Sequence, residues 1–197
     1  MYSSPMPARG DHDARRADVS AAVWRVLAAR GFGGLTLRAV AAEMGVSTGL
    51  LTHYFPNKRA LVRHAVDVAE RHTDARDRHA AAGEGRPALR AALLDVLPLT
   101  DEATAMSRVW VSYWDGALAD DEFAADQRRR YDRWRARLRS HVDAALAGAG
   151  TDPEALVATC AAFAHGLVVQ ALFDPAAFPA DRQVALLDRF LADLFPA

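Results

Sequence analysis

Small polar side chains between positions 47 and 53 can hydrogen-bond with the edges of DNA base pairs. They carry hydroxyl and imidazole groups, and a single glycine lies among them. The major groove of B-DNA is about 12 Å wide and offers donors and acceptors that differ from base to base. We therefore predict base contacts from a polar cluster made of Ser47, Thr48, Gly49, Thr52 and His53.

Two short helices joined by a tight turn would hold the polar cluster at the surface. The first helix would begin after a capping Thr36, and Gly45 would end it in the left-handed conformation. Ser47 would cap the second helix, which runs to about Phe55. Apolar residues at helical spacing in both segments would face each other. In such a helix-turn-helix, the second helix enters the major groove.

Four neighbouring residues are expected to add DNA contacts. Arg38 can pair with guanine through two hydrogen bonds. Thr36, Tyr54 and Lys58 are expected to hold backbone phosphates, which positions the protein without reading sequence. The ring of Tyr54 can also close the small core while its hydroxyl reaches the surface.

The stretch GVSTGLLTHYFPNKRALV, at 45–62, resembles the DNA-binding signature of TetR-family transcriptional regulators. The STG start and THYF end of its second helix are most similar to the betaine-responsive, BetI-like branch. Looser similarity continues in VLPLTDEATAMSRVWVSYW, QRRRYDRWRARLR and HGLVVQALFDP. The resemblance implies an all-helical homodimer that binds an operator in double-stranded DNA. It also implies a C-terminal domain that binds a small effector.

Composition and charge fit a globular DNA-binding protein of the cytoplasm. The chain has 197 residues, of which 51% are hydrophobic and 25% charged, and its one cysteine excludes an internal disulfide framework. We find no signal peptide and no apolar run of about 18 residues, so no membrane partner is expected. Residues 1–72 carry ten basic and six acidic residues, whereas residues 73–197 carry fourteen and nineteen. A basic head on an acidic body favours docking of the head on phosphate.

The pattern predicts an all-α chain of about nine helices in two domains. Residues 1–14 are expected to form a disordered basic and polar tail, residues 15–60 the helix-turn-helix domain, and residues 61–197 the effector-binding and dimerisation domain. Arg9, Arg15 and Arg16 either reach phosphate as a basic arm or belong to a solvated tail.

Aromatic residues of the second domain are candidates for an effector pocket. Ring faces attract cations by about 0.5–2 kcal/mol, although helically spaced aromatics also serve as core. His165 is either a core histidine, a dimer contact or an effector ligand. Its position is usually acidic in the BetI-like branch, which argues against choline or betaine aldehyde as effector. The candidates are Trp110, Tyr113, Trp114, Tyr131, Trp134 and His165.

The last two predicted helices are apolar around much of their circumference, which indicates burial on several sides. The resemblance implies a four-helix dimer interface built from them. Two DNA-binding heads about 34 Å apart would then meet successive major grooves. The interface candidates are Phe163, Leu167, Val168, Leu172, Leu187 and Leu191.

The sequence offers no enzyme, metal or cofactor site. His64, His72 and His79 are too far apart along one helix to share an ion, and Cys160 and His165 point about 140° apart. No phosphate-binding loop or hydrolase motif is present. Two alternatives remain open: a helical enzyme or ligand carrier with a vestigial DNA-binding head, and an architectural, sequence-neutral DNA binder.

Overall fold

The computed structural model describes residues 9–75, 79, 83–146 and 152–195, with side chains from Arg15 onward. Every regular element in these ranges is an α-helix, so the predicted all-α fold is confirmed. The chain divides into two compact units, Met1–Ala75 and Arg76–Ala197. The helices are α1 Arg9–Arg30, α2 Leu37–Met44, α3 Thr48–Thr52, α4 Lys58–Ala75, α5 Arg86–Leu94, α6 Asp101–Leu118, α7 Asp121–Leu146, α8 Pro153–Phe173 and α9 Ala180–Leu194.

The first helix begins earlier than the sequence analysis expected. It starts at Arg9, so residues 9–14 of the expected disordered tail are helical, and residues 1–8 lie outside the described residues. No proline interrupts the chain from Arg9 to Arg30, and nothing there forces the helix to start later. The side chain of Arg9 lies outside the described set, whereas Arg15 and Arg16 are exposed on α1.

The first unit contains α1 to α4 around one small core. The apolar face of α1 is buried against α2 and α4, together with Leu51 of α3 and Phe55. Because α4 packs along α1, the first unit extends to Ala75, whereas the sequence division assigned residues 61–75 to the second domain. The α1 residues in this core are Val19, Ala22, Val23, Val26 and Leu27.

The second unit contains α5 to α9, with α7 and α8 in the most extensive contact. Its core brings together Leu93 of α5, Leu138 of α7 and Leu187 of α9. A bidentate ion pair also joins α5 to α9, because Arg90 donates to both carboxylate oxygens of Asp188 at 2.5 and 2.9 Å. Arginine and aspartate form strong pairs in this parallel geometry.

The arginine-rich face of α7 forms ion pairs with acidic residues on α7 and at the start of α8. Arg135 donates to Asp132 at 2.6 Å, and Arg139 donates to Asp143 at 2.8 Å and to Glu154 at 3.2 Å. These pairs occupy the charged face beside a buried apolar stripe. They give no support to a second nucleic-acid surface on α7.

One described helix, α8, is long and apolar enough to span a membrane by length and composition, which the sequence analysis did not anticipate. The core helix of a soluble protein has the same length and composition. One side of α8 is buried against α7 and α9, including Val157, Cys160 and Ala164. Burial raises the pKa of the Cys160 thiol to about 11, which suits a packing role rather than a reactive one.

Candidate operator-binding surface and effector pocket

Local capping holds α2 and α3 in the predicted helix-turn-helix. The side chain of Thr36 accepts a hydrogen bond from the Ala39 amide at 3.0 Å, which starts α2. Gly45 has a φ of 67°, the left-handed conformation that ends α2. Ser47 Oγ then accepts from the Leu50 amide at 3.4 Å and starts α3. These residues fix the turn between the two helices through short-range contacts.

The α3 helix buries one side and exposes the polar cluster on the other. It is shorter than predicted, ending at Thr52 instead of near Phe55, with His53 as its C-terminal cap. Leu51 and Phe55 are buried in the core of the first unit. All five members of the polar cluster, Ser47, Thr48, Gly49, Thr52 and His53, are exposed.

Hydrogen bonds within α3 limit what each hydroxyl can still do. Ser47 Oγ already accepts from a backbone amide, so its O–H remains available as a donor. The Thr52 hydroxyl donates to the Gly49 carbonyl at 2.7 Å, so its oxygen remains available as an acceptor. The two side chains therefore present opposite hydrogen-bonding characters on one surface. Sequence alone did not distinguish them.

The residues expected to flank the polar cluster lie around it in the first unit. Arg38 on α2 and Lys58 at the start of α4 are exposed, as is Thr36, whereas Tyr54 is half-buried. The side chain of Asn57 accepts a hydrogen bond from the Ala60 amide at 2.9 Å and caps α4. This cap fixes the first turn that carries Lys58.

One exposed ion pair of the first unit was missed from sequence. Arg25 of α1 donates to Glu43 of α2 at 2.6 Å, which ties the two helices together. Eighteen positions separate the two residues, so no helical spacing could signal the pair. It helps to hold α2 in place.

The six effector candidates form two neighbouring groups. In the first, Tyr113 is only 1% exposed and its hydroxyl donates to the Phe123 carbonyl at 3.4 Å. Trp110 meets the Tyr113 ring edge-on at 6.1 Å. The Arg130 guanidinium lies 5.1 Å from the Trp110 ring centroid and 5.6 Å from that of Tyr113. Tyr113 is therefore a core residue, and the cation that lies against the rings of Trp110 and Tyr113 is the guanidinium of Arg130.

The second group is a ring box, which we define as His165 surrounded by Trp114, Tyr131 and Trp134. The centroid distances from the imidazole to these rings are 5.6, 5.1 and 4.9 Å, in that order. Burial lowers the pKa of His165, which favours the neutral imidazole at pH 7. Burial also raises the pKa of Tyr131, and a hydrogen bond from Gln127 opposes this shift. The structure thus brings four of the six candidates together.

Most of the residues expected at a dimer interface are buried within the single chain. Leu167, Val168, Leu187 and Leu191 all lie in the core of the second unit, so their side chains are already covered. Phe163 and Leu172 are half-buried, and Phe163 stacks on Phe190 of α9 at 4.0 Å. A contribution of these four residues to a dimer interface stays a prediction. The sequence could not show which side of α8 packs inside the chain, because this helix is apolar nearly all round. Glu154 is exposed in the first turn of α8, where it pairs with Arg139. The other exposed residues of α8 carry no charge and are Ala155, Ala158, Thr159, Ala162, Gly166, Gln170 and Phe173.

The geometry of both units agrees with comparisons to known proteins. Residues 85–196 match the model of the BetI-type transcriptional repressor C-terminal domain, and residues 19–65 match the tetR family of bacterial regulatory proteins. The chain belongs to the TetR family. As a TetR-family regulator it is a DNA-binding protein rather than an enzyme, and the vestigial-head alternative is not favoured. Within the described residues no group of His, Cys, Asp or Glu side chains is placed to hold a metal ion.

Several relatives share this architecture. The chain is 27% identical to the regulator PksA of Bacillus subtilis over 180 residues, covering 90% of this chain and 88% of PksA. It is 32% identical to BetI of Burkholderia thailandensis over 117 residues, which span 57% of this chain and 60% of that BetI.

Solved structures of other TetR-type regulators are also similar. A transcriptional regulator from Rhodococcus sp. Rha1 is 26% identical with a TM-score of 0.72, covering 91% of this chain and 94% of that one. A regulator from Saccharomonospora viridis, solved in complex with choline, is 20% identical with a TM-score of 0.77, covering 91% and 96%. This second likeness shows the shared fold.

Proposed function

We propose that this TetR-family protein is a dimeric repressor of the cytoplasm that binds its operator through α3 and releases it when a small effector occupies the second unit. The observation that carries the proposal is the exposed polar cluster on a short helix whose opposite side is buried. The caps at Thr36, Gly45 and Ser47 pre-order this helix, which reduces the entropy lost on binding DNA. An architectural, sequence-neutral DNA binder would not need the exposed polar cluster on this helix.

Sequence reading is proposed to combine several hydrogen-bonding characters. Ser47 would donate to a base acceptor, Thr52 would accept from an adenine or cytosine amino group, and Arg38 would pair with guanine. Thr48 and His53 would extend the same edge. Thr36, Tyr54 and Lys58 would hold phosphates and supply the salt-dependent part of affinity.

Gly49 is proposed to allow close approach between α3 and the groove. A methyl group at this position would meet only Ser47 Oγ, at 3.8 Å, so the fold itself does not require glycine here. Gly49 is exposed on α3, the helix proposed to read the bases. This position supports the interpretation that glycine is required by the close approach of DNA.

Dimerisation is proposed to use the exposed, uncharged face of α8 together with α9. Ala158, Ala162 and Gly166 would let two helices approach closely, and Phe173, which is 83% exposed, would be covered. A helix face without charge is unusual on a free surface, and burial of its apolar area favours association by about 25 cal/mol per Å². Two heads would then meet successive major grooves of one operator.

The effector is proposed to bind at the ring box. The regulator of similar fold from Saccharomonospora viridis was solved in complex with choline, a quaternary ammonium of the kind that aromatic ring faces attract. Here, however, a quaternary ammonium would compete with His165 for the same ring faces. We therefore propose an effector that packs on Trp114 and Trp134 and hydrogen-bonds with the neutral imidazole, rather than choline itself.

Recovery of bound genomic fragments by the purified full-length protein tests the proposal. We expect a shared, roughly palindromic site, a dimer by light scattering, and binding at least 10³-fold tighter than to a scrambled duplex at equal salt. A ratio near one would support an architectural binder instead. Absence of duplex binding at low salt would support the vestigial head.

A further inference from the structure

A cavity of about 930 Å³ lies entirely within the first unit, beside the C-terminal end of α3. It is bounded by α1, by the segment that follows α3 and by α4. We call it the α1–α4 pocket. Small-molecule sites in proteins typically have volumes of about 300–1,000 Å³, so the pocket has the size of a ligand site. Its polar lining residues are Arg16, Ser20, His53, Tyr54, His64 and Arg71.

The lining of the α1–α4 pocket is strongly biased towards positive charge. Two guanidinium groups and two imidazoles face it together with two hydroxyls, and no acidic residue is found among the described side chains that line it. Among the described residues, neither Arg16 nor Arg71 forms an ion pair, whereas many other arginines of the chain do. Arginines that converge on a cleft create a positive potential that attracts anions.

The electrostatics of His64 indicate the same potential. Its Nε2 lies 3.2 Å from Ser20 Oγ, and its ring lies 5.2 Å from that of Phe55. Burial is the largest cause that lowers the pKa of His64, and the charges of Arg71 and Arg16 lower it further, while Asp67 acts in the opposite direction. An anion in the pocket would relieve this repulsion and let the imidazole take up a proton.

We propose that the α1–α4 pocket binds a phosphate group, with Arg16 and Arg71 as its charge partners and Ser20 and Tyr54 as hydroxyl donors. Arginine guanidinium groups match phosphate geometry through paired hydrogen bonds. The volume exceeds what a bare phosphate fills, and Val19, Leu50 and Phe55 supply apolar wall for an organic substituent. The phosphate comes either from a free phosphorylated metabolite or from the operator backbone.

Occupancy of the pocket is coupled to DNA binding by position. Leu50 belongs to α3, and His53 and Tyr54 directly follow it. One wall of the pocket is therefore formed by the same segment that carries the polar cluster. A free dianion adds negative charge behind that surface and weakens its attraction to backbone phosphate. This coupling rests on the proposed function, whereas binding of the anion to the free protein does not.

Titration of the DNA-free, full-length protein with inorganic phosphate and pyrophosphate at constant ionic strength tests the site. We expect saturable binding by calorimetry and a rise in the pKa of His64 by NMR. The double variant Arg16→Gln, Arg71→Gln should weaken binding at least tenfold, with its helical content intact by circular dichroism. Arg30→Gln, an exposed arginine of α1 outside the pocket, is the matched control and should bind like the wild type.

Operator binding then distinguishes the two sources of phosphate. With a free ester as ligand, phosphate lowers operator affinity beyond an equal ionic strength of chloride, and the double variant loses this effect. With the operator backbone as ligand, the double variant instead loses affinity for all duplexes, and its salt slope falls by about one per lost contact. No saturable phosphate binding together with an unchanged salt slope, or equal losses in the double variant and Arg30→Gln, would overturn the proposal. Failure to find any operator would leave the calorimetric and NMR test decisive.

Discussion

The imidazole of His165 lies 4.9 Å from the indole of Trp134, at an interplanar angle of 45°. Trp114 and Tyr131 complete the box around the same imidazole. A half-buried histidine therefore occupies ring faces that a cationic effector would otherwise use. Protonation of His165 should therefore affect both the stability of the fold and the type of effector that the ring box binds.

Acidification should destabilise the fold through the two half-buried histidines, His64 and His165. The pKa values of His165 and His64 are lowered by burial, so the unfolded chain binds protons at a pH where the folded chain does not. Stability from this source is complete above about pH 6.5 and is lost as pH falls below it, towards the folded pKa values. Urea unfolding at pH 7.5, 6.5 and 5.5 measures the trend. His165→Gln should flatten it, whereas the exposed His53→Gln should not.

The sequence predicted the parts of the fold that depend on local chemistry. Thr36, Gly45 and Ser47 act where the pattern placed them because a cap involves atoms within three or four positions. The faces of α8 were not predictable, since its apolar residues cover nearly the whole circumference and only packing decides which side is buried. The contact between Ser20 and His64, 44 positions apart, likewise arises only in the tertiary structure.

Gly45→Ala should destabilise the first unit by about 1–2 kcal/mol. The φ of 67° at this position lies in the left-handed region, where a Cβ carries a steric cost of that size. Chemical unfolding of the full-length protein measures the loss. If stability were unchanged, the turn between α2 and α3 would not depend on the left-handed conformation.

Gly49→Ala should have the opposite profile, with stability preserved and operator affinity reduced. The added methyl group meets only Ser47 Oγ at 3.8 Å, which is ordinary contact, while alanine favours the helix. The new group would stand between α3 and the bases. Operator titration beside the unfolding measurement checks this, and Gly45→Ala serves as the matched comparison. Unimpaired binding would show that α3 does not approach the groove closely at this residue.

Ala162→Glu should convert the dimer to a monomer without unfolding it. Ala162 is exposed at the centre of the uncharged face of α8, so glutamate is tolerated in the single chain. In a dimer the two carboxylates would be buried near each other, which costs several kcal/mol. Light scattering gives the mass, with Leu118→Glu as control because Leu118 is 88% exposed on α6. A dimer that survives Ala162→Glu but not Leu118→Glu would place the interface elsewhere.

Arg38 and Lys58 should separate specificity from affinity. Lys58 is exposed in the first turn of α4 and is proposed to hold a backbone phosphate, so Lys58→Ala should weaken every duplex alike and reduce the salt slope by about one. Arg38 is exposed on α2, and its planar guanidinium can pair with guanine, so Arg38→Ala should cost about 1–3 kcal/mol at one base pair of each half-site.

Operator variants substituted at each position, titrated at two salt concentrations, resolve these effects. The preference lost in Arg38→Ala should map to a single guanine, whereas the Lys58→Ala profile should run parallel to that of the wild type. If Arg38→Ala weakened all duplexes equally, its guanidinium would be a phosphate ligand. The bases would then be read by the hydroxyls of α3 and by the imidazole of His53. The donor at Ser47 and the acceptor at Thr52 would set the preferred sequence.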